Sequence, residues 1–150
     1  MNEIQAALKI ALANTYVMGF KAHTYHWNVE GMLFPQFHDF FGELYNELFG
    51  SVDDLAERIR TVDGYAPVSL MDLLRYATIA EDTGKPATTG EMVSNLIAAC
   101  SETTTSLSKA FEIATRENNQ GLADYLGGRL DAMAKHLWML KSIVKTSEGQ

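Results

Sequence analysis

Between Phe37 and Val62, eight apolar residues recur at intervals of four, three, four, four, three, four and three. On a helix advancing about 100° per residue, Phe37, Phe41, Leu44, Leu48, Val52, Leu55, Ile59 and Val62 share one stripe about 80° wide. A stripe so long and narrow needs apolar partners along its whole length, and other long helices are its natural neighbours. The rest of the chain supplies them. A first helix is predicted from Glu3 to Glu30, with Ile4, Leu8, Leu12, Tyr16 and Phe20 at helical spacing and a stop at Gly31. The striped helix opens at Pro35, a favoured first-turn residue, and ends at Val62 before Asp63-Gly64. A short piece from Ser69 to Ile79 follows, with Ser69 as N-cap and Asp72 three residues later. Helices from Thr89 to Arg116 and from Gly121 to Val144 complete the chain, separated by the turn NNQG. Thr88 or Thr89 caps the former, and Glu91 lies in its first turn. With no strand-like alternation and three prolines, the fold class is all-α. It is a four-helix bundle with a short extra helix between the second and third long ones.

At 150 residues the chain is read as a single domain spanning 1–150, long enough to bury its own core. No run approaches the ~20 apolar residues that span a bilayer, so no membrane role is expected. The opening MNEIQAALKIALANTYVMGF lacks a basic n-region and a small-residue cleavage motif, so it is read as mature protein. A lone Cys100 excludes an internal disulfide and suits a reducing, cytoplasmic compartment, where it serves as a small buried hydrophobe. A formal charge of −7 and the lack of a basic arm at either end argue against phosphate binding, and favour attraction of cations.

Three of the four histidines fall in HTYHWNVEGMLFPQFH, residues 23–38, among aromatic side chains. They are either packed for bulk or half of a site completed elsewhere. With Phe41 at zero, His38 lies near 60°, Asp53 near 120° and Glu57 near 160°, so all three flank the core stripe. Asp53 and Glu57 are an i,i+4 pair whose carboxylates can meet at one cation. Read blandly, they are solvated acids satisfied by Arg58 or Arg60. His38 precedes Asp53 by fifteen residues, roughly 22 Å along a helix axis, too far to share an ion within one subunit. An antiparallel second copy would bring them together, so a site built from these residues requires an oligomer with a two-fold axis. No glutamate is followed three residues later by histidine, so the Glu-x-x-His centre buried inside some four-helix bundles is not expected.

The run HWNVEGMLFPQFHDFFGELYNELFGSVDDLAERIRTVDGYAP resembles the signature of the Dps family, the mini-ferritins. VSLMDLLRYATI, GEMVSNLIAA and LADYLGGRLDAMAKHLWMLKSIV extend the resemblance over nearly the whole chain. It implies a ferritin-like bundle assembled as a twelve-subunit shell that oxidises Fe(II) with peroxide or dioxygen and stores the ferric product. It also implies a ferroxidase site shared across a two-fold axis, with His26 and His38 from one chain and Asp53 and Glu57 from its partner as iron ligands and catalytic residues. His23, one turn before His26, is a candidate auxiliary ligand, and Asp124 matches a position lining the family's three-fold pores. Asp124 equally suits a helix N-terminal acid facing the dipole. His136 is read as structural.

One position departs from the family pattern. An Asp often stands four residues after the second histidine, and here that position is Gly42. Asp39 and Glu43 point about 100° or more away from it and are poor substitutes. Weaker iron binding or a less complete second iron site is expected, with Gly42→Asp restoring affinity if Gly42 faces the metal. Two alternatives stay open: a ferritin-like shell with a degenerate metal site, and a DNA-compacting protein, the latter disfavoured by charge and by the missing basic arms.

Overall fold

The computed structural model describes residues 1–145; the polar tail TSEGQ lies outside the described residues. Six helical segments are present: α1 (Glu3–Asn28), α2 (Phe34–Gly50), α3 (Val52–Thr61), α4 (Leu70–Arg75), α5 (Thr89–Arg116) and α6 (Gln120–Val144). α1 packs against α2, α3 and α5, and α5 packs against α6. The striped segment behaves as expected, with Phe41, Leu44, Leu48, Leu55 and Ile59 buried. Among the described residues no helix is long and apolar enough to cross a membrane.

The caps show why the elements start and stop where they do. Asn2 with Gln5 and Thr88 with Glu91 each form a reciprocal capping box. α3 and α5 end alike: Gly64 N–H donates to Ile59 O and Asp63 N–H to Arg60 O, as Asn119 N–H donates to Ala114 O and Asn118 N–H to Thr115 O. The residues that turn the chain are Asp63 (φ 65°) and Asn118 (φ 58°), since short polar side chains tolerate the left-handed region. Asn119 then caps α6 by accepting from Leu122 N–H. One Asn closes a helix and the next opens another.

Two elements differ from expectation. The striped helix is bent rather than continuous, divided at Ser51. Ser51 directs both its backbone N–H and its hydroxyl to Leu48 O, at 3.1 and 2.7 Å. A Gly-Ser pair that diverts a helical carbonyl in this way is a known cause of kinks. The short helix ends at Arg75, not Ile79, because buried Asn14 captures the next stretch. Its side chain accepts from Thr78 N–H at 2.8 Å and donates to Thr78 Oγ1 at 2.9 Å.

A second polar cluster ties the connection between α4 and α5 to α1. Lys21, only 7% exposed, reaches Asp82 at 2.6 Å. The Tyr25 hydroxyl donates to the other Asp82 oxygen and accepts from Asn95. Burial raises the Asp82 carboxyl, but hydrogen bonds from Lys21 and Tyr25 outweigh it and leave the group below its ordinary range. Burial, then the bond to Asp82, raises the Tyr25 phenol.

Candidate metal centre

His26 stands in the last turn of α1 and His38 near the start of α2, joined by a loop of five residues, 29–33. Val29 N–H closes α1 onto Tyr25 O, Gly31 turns at φ 122°, and Phe34 N–H donates back to Gly31 O. This short reversal lays the two imidazoles face to face, 3.8 Å between ring centroids and 16° between planes. Each ring then hydrogen-bonds the other residue's backbone: His26 Nδ1 to His38 O at 2.6 Å, and His38 Nδ1 to His26 O at 2.7 Å. A carbonyl only accepts, so both Nδ1 atoms carry hydrogen. In the neutral rings each Nε2 is left with its lone pair, the tautomer that metal-ligating histidines adopt when a carbonyl holds the far nitrogen.

The near-parallel stack has a chemical consequence. A lone pair lies in its ring plane, and an ion sits about 2.0–2.1 Å from an imidazole nitrogen. The two ring centroids lie 3.8 Å apart with planes inclined by 16°, so an ion lying in the plane of one ring lies off the plane of the other.

Aromatic side chains enclose the pair. Phe34 stacks on His38 at 5.1 Å, and Tyr45 meets His26 edge-on at 5.4 Å. His23 has the surroundings of a packed ring, lying 4.1 Å from both Tyr45 and Trp27 and edge-on to Phe20 and Phe49. Burial, then the neighbouring His26, lowers its pKa.

Asp53 and Glu57 are exposed on α3. Neither arginine that could satisfy them does so. Arg58 lies over the Tyr125 ring at 4.6 Å, and Arg60 lies over Tyr65 at 4.5 Å while donating to Gly64 O. Among the described residues neither carboxylate belongs to an ion pair, and no three His, Cys, Asp or Glu residues of one chain gather around a common point. The histidine pair and the carboxylate pair are thus two separate groups of side chains on one protomer.

Asp124 is exposed beyond the first turn of α6, and that first turn holds no acid. Gly42 is buried against the His26 ring. A Cβ there would meet His26 Nδ1 at 3.0 Å and Cε1 at 3.1 Å.

Sequence reasoning missed a further cluster between α2 and α6. Glu47 takes a bidentate contact from Arg129, at 2.6 and 3.1 Å, and pairs with His136 Nε2 at 2.6 Å. These bonds, His136 foremost, hold its carboxyl down at about 2. The partners lie 82 and 89 residues away, and no local pattern signals such a meeting.

An all-helical bundle of this order is the architecture of ferritin-like proteins. The Ferritin-like domain model matches residues 5–149. The chain is 33% identical over 142 residues to the DNA protection during starvation protein of Brevibacillus brevis, covering 95% of each. It is 34% identical to general stress protein 20U of Bacillus subtilis, covering 93% of this chain and 94% of that one. Among solved structures, Dps from Thermosynechococcus elongatus superposes with a TM-score of 0.92 at 32% identity, covering 97% of this chain and 92% of that one. Dps from Vibrio cholerae O1, described as a member of a broad superfamily of ferritin-like diiron-carboxylate proteins, gives 0.89 at 28%, covering 95% and 89%. The chain belongs to the Dps family.

Proposed function

We propose that this protein oxidises and stores iron, at sites formed by His26 and His38 of one subunit with Asp53 and Glu57 of the partner subunit. The observation that carries the reading is the reciprocal Nδ1–H···O=C pair, which leaves both Nε2 atoms free to bind a cation. Two imidazoles and two unpaired carboxylates form a mixed nitrogen and oxygen set suited to Fe(II). Two Fe(II) ions would each give up one electron, and one hydrogen peroxide would accept both and leave as two hydroxides; dioxygen is the other candidate oxidant. The protein's own contribution is to hold the imidazole tautomer, to wall the site with Phe34 and Tyr45, and to supply carboxylates that offset the charge of the ferric product. Consuming Fe(II) and peroxide together protects DNA without contact.

Apolar side chains around the half-sites support assembly. Phe20, Trp27, Leu33 and Phe34 beside the histidines, with Leu70, Met71 and Leu74 on α4, are exposed in the isolated protomer, a group of apolar residues that a second copy would cover. Twelve copies of the 16.6 kDa chain form the proposed cytoplasmic shell of about 199 kDa. Light scattering should give that mass, and anaerobically added Fe(II) should turn to ferric absorbance on addition of peroxide. A stable monomer at micromolar concentration would exclude the shared site. The alternative, a shell with a degenerate metal site, is favoured by Gly42, which leaves the histidine face without a carboxylate; a shell of the right mass that oxidises no Fe(II) would establish it. DNA binding is not part of the reading. With a formal charge of −7, the protein should leave duplex DNA unretarded in a gel at ~150 mM salt, and a shift that fades steeply with added salt would contradict this.

A further inference from the structure

We propose that His136 and Met139 of α6 form a binding site for a soft monovalent metal ion, Cu(I), separate from the residues proposed to bind iron. Both side chains line a cavity of about 400 Å³ between α2 and α6. They stand three residues apart on one helix, where Cβ atoms lie about 5–6 Å from each other and two donors can reach one ion. The state of the imidazole is set by its neighbours. Arg129 donates to both oxygens of Glu47, at 2.6 and 3.1 Å, so Glu47 is an ionised carboxylate that can only accept. His136 Nε2, 2.6 Å from Glu47 Oε1, therefore carries hydrogen, and in the neutral ring the lone pair is left at Nδ1. Among the described residues Nδ1 has no hydrogen-bond partner, and it is not sealed away, since Arg129 Nε is the only buried side-chain nitrogen or oxygen left unpaired there. An imidazole that gives one N–H to a carboxylate and keeps its other nitrogen free is oriented as metal-ligating histidines are.

The donors that remain decide which ion fits. Both Glu47 oxygens are already taken, and no three His, Cys, Asp or Glu side chains gather here among the described residues. A hard divalent ion, which needs several oxygen ligands, is therefore poorly served. Met139 instead offers a thioether, half-buried on the same wall as His136. Thioether sulfur is a soft donor that selects Cu(I), and imidazole is a compatible partner. Its three rotatable bonds let the methionine close on an ion that the fixed imidazole holds. Phe40 and Leu44 of α2 supply apolar lining, and the opposite charges of Glu43 and Lys135 border the same cavity. Neutral donors in a lining of little net charge suit an ion of single charge.

The test adds anaerobic Cu(I) to the full-length protein in competition with a chromogenic Cu(I) chelator. Wild type should hold one more Cu(I) per subunit than Met139→Leu, a change of nearly equal volume that removes the sulfur. X-ray absorption at the copper edge should show sulfur and nitrogen around the ion in wild type, and the sulfur should be lost in Met139→Leu. His136→Gln, which keeps an N–H for Glu47 but has no ring nitrogen, should lose the same equivalent. If that variant does not fold, Met139→Leu decides alone. Fe(II) oxidation by peroxide should be the same in Met139→Leu as in wild type, which separates this site from the iron reading. Equal Cu(I) uptake by wild type and Met139→Leu would overturn the proposal. So would copper-bound sulfur that persists in the variant, since the ion would then sit at buried Cys100 or another methionine. Equimolar Zn(II) should leave the bound Cu(I) in place, and displacement by it would refute the preference for a soft ion.

Discussion

Shells reassembled from His38→Ala and Glu57→Ala chains together are expected to oxidise Fe(II) when neither variant does so efficiently alone. In the proposed assembly each two-fold pair of subunits would form two sites, each taking its histidines from one chain and its carboxylates from the other. In a mixed pair both lesions fall in the same site, so the other is intact and the pair recovers about half of wild-type activity. Random mixing makes about half of all pairs mixed, which sets bulk recovery near a quarter. The separation of the half-sites within one protomer makes the outcome informative, since a site built inside one subunit gives no recovery at any ratio. Ferric absorbance after dissociation and co-assembly measures it. Verified mixing without recovery would reject the shared site or these ligands, and full activity in both single variants would reduce the residues to packing.

Removing the carboxylate of Asp82 should cost a large part of the stability of the fold. Lys21 is nearly enclosed, with its side chain 8% exposed against 36% for Asp82. Asp82→Ala strands that ammonium and deprives the Tyr25 hydroxyl of its acceptor. Breaking a fully buried pair costs about 3–5 kcal/mol. The partial exposure of Asp82 lets water reach the lysine, so about 2–4 kcal/mol is expected here. The double variant Lys21→Met, Asp82→Ala, which leaves no lone charge, should recover part of the loss. Thermal unfolding at one fixed protein concentration tests both, because assembly makes the midpoint depend on concentration. A single variant as stable as wild type would show that Lys21 finds water or another partner.

Protection of the connection between α4 and α5 should follow from the same contacts. Thr78 and Asp82 are its anchors on α1, through Asn14, Lys21 and Tyr25. Nothing in the local sequence from Tyr76 to Thr88 shows this, because the partners lie 57 to 64 residues earlier.

What the sequence by itself determined was whatever depends on short-range periodicity and caps. The stripe from Phe37 to Val62, the boundary at Asp63-Gly64, the caps at Ser69 and Thr88, and the near coincidence of α5 and α6 with their expected spans all depend on residues within a turn or two of one another. The all-α class and the separation of His38 from Asp53 and Glu57 along the chain follow from the same arithmetic. The tertiary structure alone decided what depends on direction and distance between helices. It bent the striped helix at Ser51, where a hydroxyl competes for a carbonyl, and it ended α4 early because a side chain on α1 offered Thr78 better hydrogen bonds. It joined Glu47 to Arg129 and His136 across the bundle. It also set the His26 ring directly against Gly42 on the neighbouring helix, a contact that no local pattern signals. Helical spacing places a residue on a face to within a few tens of degrees, but which atom of a neighbour it meets depends on how two helices approach, and that is set by the whole core.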